Sequence, residues 1–263
     1  MTVTRSLVDK ALDVNAAMLA LGNEVFETED ATFVRNRETP NRWDSNHVSR
    51  IQASTAEAIE RLVSRARHEF EGTEMLSFEV DYRTPPEVAA WLTLKGFEGD
   101  EALVMLLEGE LAGTAKEFEM RQMEDDEAWA EYGKLHALDW AEAQEKRTGD
   151  SKPEVVKEML LARKLKSPPA RFWMAYVDGK PRSYLFSWEG EEAVGQVEEL
   201  FTQPDFRHQG LATALIHHCV ADARAHGAGP VVIVADPSDT PKEMYAAMGF
   251  RPAAVKRTYR RKM

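Results

Sequence analysis

The chain has 263 residues, a hydrophobic fraction of 43% and a formal net charge of −12 at pH 7. That length suits one or two domains, the apolar content is ordinary for a globular core, and the acidic balance opposes general binding to nucleic-acid phosphates. A single cysteine, Cys219, excludes an intrachain disulfide framework and fits a reducing, cytoplasmic compartment, and no apolar run has the length of a membrane span.

The N-terminal stretch MTVTRSLVDKALDVN has no apolar core of the signal-peptide kind. Leu7, Ala11, Val14, Met18 and Leu19 recur at helical spacing and predict a first helix. ATFVRNRETPNRWDSN reads as a strand leading into a turn-rich stretch, and STAEAIERLVSRARHEF as a second helix capped by Ser54 or Thr55. A strand MLSFEVD, a proline-started helix PPEVAAWLTLKG and a strand ALVMLLEGEL follow, and the apolar pattern lapses around Gly113. The order then begins again. FEMRQM predicts a strand, DDEAWAEYGKLHALDWAEAQEK and KPEVVKEMLLARKL predict helices, and RFWMAYVDGKPRSYLFSWEGEEAVGQVEELFTQ predicts three strands parted by turns at DGK and EGEE. A helix after Gly210 carries Leu211, Leu215, Cys219 and Ala223 on one face, so Cys219 is expected as a buried structural thiol. The strand PVVIVAD, the helix TPKEMYAAMG and the strand AAVKRTYRR close the chain, and the basic tail KRTYRRKM is expected as a charged edge strand.

Two segments echo one another: VDYRTPPEVAAWLTLKGF and ADPSDTPKEMYAAMGF both run strand, Asp, Thr-Pro, helix, Gly-Phe. A proline-started helix stopped by glycine, met twice, indicates a duplicated unit, with halves at 1–113 and 117–263. The halves differ at RHQGLATALIHH, where the first offers SRIQASTAEAIERLV with no glycine. A tight strand-to-helix turn aims several unbonded N–H groups at one spot, where the helix dipole also favours an anion. Gly210 and Ala212 are small where a phosphate would meet the backbone, and Arg207 adds a charge. Neither GxxxxGK[ST] nor GxGxxG is present. His217 and His218 lie mid-helix without a carboxylate or cysteine at ligand spacing, so they read as structural and no metal is expected.

Arg207, Gly210 and Ala212 match [RQ]-x-x-G-x-[GA], and Tyr245 stands four residues before Gly249-Phe250. In these elements and their strand order the second half resembles the GNAT superfamily of N-acetyltransferases over residues 118–263, and the first half resembles a degenerate copy over 25–110. The resemblance implies an α/β fold of two halves, each a twisted, mostly antiparallel sheet flanked by helices. It implies acetyl-CoA as cosubstrate and direct attack by an amine acceptor on the thioester. By the family pattern Tyr245 is the acid that protonates the leaving thiolate. Glu198 or Glu199 is the base, Glu198 preferred, since strand alternation sends the two to opposite faces. Backbone groups of Leu200, Phe201 and Thr202 are expected to meet the pantetheine arm. Arg207, His208, Gln209, Gly210, Leu211, Ala212 and Thr213 are expected to surround the pyrophosphate. The family's asparagine before its tyrosine is missing, with Asp236 or Ser238 in its place.

The first half is expected to hold no acetyl-CoA. Its segment RNRETPNRWDSNH, with Arg37, Trp43, Asp44 and Asn46, is expected to help form the acceptor pocket. Two other classes fit the same residues: a non-catalytic acyl-CoA sensor, and an acetyltransferase that modifies proteins. Nothing in the pattern bears on oligomeric state.

Overall fold

The computed structural model describes residues 6–146 and 153–263; the first five residues of the N-terminal stretch, and Lys152 at the expected start of a helix, lie outside the described residues. The first half contains α1 (Leu7–Ala20), β1 (Glu24–Glu27), β2 (Thr32–Arg35), β3 (His47–Ser49), α2 (Ala56–Glu69), β4 (Met75–Val80), α3 (Pro86–Leu94) and β5 (Glu98–Leu107). The second contains β6 (Glu119–Gln122), α4 (Asp126–Lys146), α5 (Pro153–Lys166), β7 (Arg171–Val177), β8 (Lys180–Glu191) and β9 (Val194–Thr202). After a short 3-10 turn at Pro204–Phe206 come α6 (Leu211–Ala225), β10 (Val231–Ala235), α7 (Pro241–Ala247) and β11 (Arg251–Lys262). Strands β1 and β3 escape the sequence pattern because each is too short to show alternation. The three residues of β3 are all buried.

The strands form one sheet in the order β1-β2-β3-β4-β11-β5-β10-β9-β8-β7-β6. Outward from the central antiparallel β11–β5 pair the same pairings recur on each side. β11 meets β4 and β5 meets β10, both antiparallel, and then β4 meets β3 and β10 meets β9, both parallel. Each half therefore gives its last strand to the other half's sheet, and the two half-sheets are fused into one. Burial follows from that exchange. Along β5, Val104 and Leu106 face one cluster with α1, Phe172, Tyr184 and Val232, while Met105 and Leu107 face another with α6, α7, Val231 and Ile233. A strand in the middle of a covered sheet must be apolar on both faces, and MLL is. Cys219 is buried in the second cluster, as expected.

The basic tail corrects one expectation: β11 is not an edge strand but the centre of the sheet, paired on both sides. Its charges are answered by acids on its neighbours. Lys256 Nζ lies 3.0 Å from Glu79, Arg257 lies 2.6 Å from Glu101, and Arg260 pairs with Asp100. The partners stand more than 150 residues away in sequence, so a strand that looks fit only for solvent is neutralised by tertiary contact.

Candidate active site

Strands β9 and β10 begin side by side and then diverge. Their ladder holds only Val231 opposite Gly195 and Val232 opposite Gln196, although both strands continue. Across the opening the carboxylate of Glu198 accepts a hydrogen bond from Val234 N at 3.0 Å and from Gln196 Nε2 at 3.2 Å. Burial pushes the Glu198 carboxyl up from 4.5 to about 7, with the charge of Glu199 adding to the rise against three stabilising N–H contacts. Such a group changes protonation near neutral pH, which suits a general base. The simple alternation expected for Glu198 and Glu199 is broken by a bulge. Glu199 has φ 66°, and Glu199 and Leu200 together face the gap in the β8 ladder between Phe186 and Tyr184.

Beyond β9 the chain turns into α6 with His208 at φ 60° and Gly210 at φ 102°, both in the left-handed region. Gly210 is the N-cap of α6 and offers no side chain to bond the first turn, and the first amide bonded back is that of Ala214, to Gly210 O at 2.9 Å. The N–H groups of Leu211, Ala212 and Thr213 thus precede the helix's internal ladder. A tight turn into a helix start with no side-chain cap is the local geometry expected of RHQGLA.

Arg207, just before the turn, has its side chain engaged elsewhere. Its guanidinium forks onto Glu142 of α4 at 2.5 and 3.0 Å, and its Nε donates to Thr202 O. A second cation at the turn is Lys116, from the connection between β5 and β6. Its Nζ donates to Gln209 O at 3.1 Å, and its stem would lie 3.3 Å from a Cβ placed on Gly210. Of the three residues expected along the pantetheine arm, Phe201 and Thr202 have their carbonyls engaged by the Ser183 hydroxyl and by Arg207, while Leu200 has no partner in the β8 register.

Tyr245 sits on α7, buried against Phe250. Burial raises its hydroxyl pKa, and the charges of Glu198 and Asp239 raise it further. The phenol is therefore protonated at neutral pH, as an acid must be. Asp236 and Ser238 bond to one another ahead of α7, Ser238 N and Oγ reaching Asp236 Oδ1 at 2.8 and 2.6 Å. His218 packs edge-on against Trp173 within the fold. Among the described residues no cluster of His, Cys, Asp or Glu is placed to hold a metal ion, and no helix is long and apolar enough to cross a membrane.

The first-half residues separate. Asn46 is buried and builds its own loop: Nδ2 donates to Thr39 O and Arg42 O, and Oδ1 accepts from Asn36 N. Trp43 is half-buried under the Arg260 guanidinium, and Arg37 is exposed beside a separate concavity with His68 and Glu69. Asp44 reaches toward β9 through residues the sequence pattern did not single out. It holds Arg42 at 2.7 Å and lies 3.8 Å from Arg163 of α5, and Arg163 Nε lies 2.5 Å from Glu199. Although burial alone would raise the Asp44 pKa, Arg42, Arg163 and Lys166 hold it far below the carboxylate range. Arg163 and Lys166 fall in the helix pattern's last turn, where cations read as complements to the dipole. Their burial is the signal the pattern lacks.

Residues 134–250 match the model of the acetyltransferase (GNAT) family. A GCN5-related N-acetyltransferase from Kribbella flavida superposes with a TM-score of 0.67 at 15% identity, over 97% of this chain and 96% of its own. A conserved protein of unknown function from Staphylococcus epidermidis superposes with a TM-score of 0.67 at 16% identity, over 92% and 94% of the two chains. A tandem GNAT protein from the clavulanic acid biosynthesis pathway gives 0.60 at 14% identity, over 97% and 95%. No curated protein matches the chain.

Proposed function

From the match of residues 134–250 to the GNAT acetyltransferase family and the likeness of the whole chain to a tandem GNAT fold, we propose that the protein transfers an acetyl group from acetyl-CoA to a primary amine of a small molecule or peptide. The observation that carries this reading is Glu198, held across the opening between β9 and β10 by Val234 N, with its carboxyl pushed up to about 7 and its charge helping to raise the Tyr245 hydroxyl. Burial raises both pKa values, so the carboxyl can exchange its proton near neutral pH while the phenol keeps its own, as base and acid roles require. We assign the site to the second half, 117–263, with 1–113 as a unit without its own cosubstrate, and the compartment to the cytoplasm.

The cosubstrate supplies an activated acetyl thioester. The chain's residues do the rest. Backbone N–H groups of Leu211, Ala212 and Thr213, with the turn at His208 and Gln209, receive the pyrophosphate, and Lys116 brings the nearest cation. The open edge of β9 at Leu200 receives the amide-bearing arm. Glu198, ionised, removes the proton that an attacking ammonium must lose, and Tyr245 delivers a proton to the departing sulfur. Arg207 supports the turn through Glu142 and Thr202. A sensor that only bound acyl-CoA would have no use for this acid–base pair.

The test is acetyl-CoA turnover across a panel of amines, read by thiol release with the acetylated product identified by mass. The expected result is product with at least one amine class. Tight acetyl-CoA binding with no turnover for small amines, peptides or proteins would establish the sensor instead.

A further inference from the structure

Resting on that reading of Glu198, we propose that Arg163 is a positioning residue that clamps the bulge of β9 to Asp44 of the first half, so that the first half sets the face to which Glu198 points. The observations are geometric. β9 carries one residue more than β8 between the pairs Phe186–Glu198 and Tyr184–Phe201, and the extra residue is absorbed with Glu199 at φ 66°. A non-glycine residue holds such a conformation only where its surroundings impose it. The alternative is a slip of one place along β8, which turns each side chain to the other face of the sheet and takes Glu198 out of the opening.

What imposes the bulge is an ion pair. Glu199 Oε2 lies 2.5 Å from Arg163 Nε, in an arrangement too bent to count as a hydrogen bond, and neither atom has another hydrogen-bond partner. Arg163 is 6% exposed. Behind it Asp44, forked onto Arg42 at 3.0 and 2.7 Å, supplies the second anion. Lys166, buried on the same helix, adds a third cation to these two acids. The helix that carries Arg163 is itself moored to the first half, since Glu158 accepts from Asn41 N at 2.7 Å and from Asn41 Nδ2 at 2.5 Å. Buried ion pairs are weak sources of net stability, and fixing a register is their best-attested use. Here the register fixed is that of the strand bearing the base.

Arg163→Met, Arg163→Lys, Asp44→Asn and Glu199→Gln test the clamp against kcat, acetyl-CoA KM, the pH profile and hydrogen exchange over residues 197–202. Misplacement of a reacting group by about 1 Å costs about 100-fold, so Arg163→Met is expected to lower kcat by about that factor while KM for acetyl-CoA stays within about threefold. Its rate-controlling limb should move to higher pH, because Glu199, left with Lys166 as its remaining cation, then faces Glu198 less neutralised, with Tyr245 unchanged on the other side. Arg163→Lys should recover part of the rate, and Glu199→Gln should move the limb to lower pH. Asp44→Asn keeps shape and carries the test if Arg163→Met does not fold: a loss of about 10-fold in kcat with faster exchange in 197–202 is expected. Wild-type kcat, profile and exchange in Asp44→Asn and Arg163→Lys would overturn the proposal, as would losses that track thermal stability with the limb unmoved. If the wild type acetylates no amine, the reading of Glu198 fails separately, and exchange alone decides the clamp.

Discussion

Thr55 and Gly210 occupy corresponding places, each the N-cap of the helix that follows the diverging strand of its half. Thr55 spends its hydroxyl on its own helix, accepting from Ala58 N at 3.2 Å, whereas Gly210 has nothing to spend. A first-turn amide satisfied by a cap is no longer available to an anion, so one atom separates a closed helix end from an open one. The rest of the comparison runs the same way. Both halves carry a left-handed residue here, Arg50 at φ 50° just after β3 and Glu199 at φ 66° in β9, but only β9 is bulged against its neighbour. Ser49 precedes Arg50 where Glu198 precedes Glu199. Four residues before the Gly-Phe of the first half stands Leu92, fully buried, where the second half has Tyr245. The first half's opening is also filled: α1 lays Leu12, Asn15, Ala16 and Leu19 over it, and the Lys256–Glu79 pair bridges it, leaving about 30 Å³. That is room for about one water molecule. The two halves share their strand pairings but not the residues proposed here as cradle, acid and base.

The sharpest way to break the contrast is Gly210→Glu. The substitution forces a side chain into a φ of 102° and sets a carboxylate over the first-turn amides, so acetyl-CoA binding should fall by about 100-fold or more, from one site per chain to none measurable by calorimetry. Two equivalent sites in the wild type would end the claim that the halves differ.

Tyr245→Phe comes next. Loss of a general acid costs about 10²- to 10⁴-fold in turnover, while the ring's packing against Phe250 is kept and acetyl-CoA affinity should hold. Steady-state kinetics beside calorimetry separates the two. The reciprocal Leu92→Tyr should confer nothing, because no base or cradle accompanies it.

Glu198→Gln bears on rate and on stability. Activity in the wild type should rise with pH through about 7 as the carboxylate forms, and the Gln variant should lose that limb. Stability runs the other way. A carboxyl raised from 4.5 to about 7 holds its proton better when folded, so stability is full below pH 4.5 and declines until about pH 7. At about 1.4 kcal/mol per pKa unit the decline is on the order of 3 kcal/mol. Denaturant melts across this window should show the decline in the wild type and a flatter curve in Glu198→Gln.

How much of this was legible in the sequence varies by residue. Gly210, Ala212 and Tyr245 are legible because the roles proposed for them are local: backbone approach and a helix position four residues before a glycine stop. Glu198 was visible as one of two carboxylates, but the bulge that decides between them is a property of β8 and β9 together. Arg207 fits the motif, yet its guanidinium pairs with Glu142, 65 residues away. Lys116 stands in a stretch with no pattern at all. β11 misled because its charges are balanced only by β4 and β5, and strand exchange leaves no trace in either half's own periodicity. The polar richness of its loop singles out Asp44, but its reach into the second half through Arg163 and Lys166 depends on burial, which hydropathy cannot show for a helix's last turn.

The smallest expected effect is the most direct test of the cap. Thr55→Gly gives α2 the same N-cap residue as α6. Replacing a threonine cap by glycine costs only a few tenths of a kcal/mol, because glycine lets water or an anion reach the amides that the hydroxyl served. Thermal melts should therefore drop by about 1–2 °C for a chain of this size. If an open helix end were sufficient for an acetyl-CoA site, the variant should gain a second one. The expectation is that calorimetry still counts one, since α1 occupies the first half's opening and Lys256 and Glu79 hold it shut. A second, weaker site appearing in Thr55→Gly would mean that the threonine alone silenced the first half. The closed opening would then have to be read as a consequence of that loss.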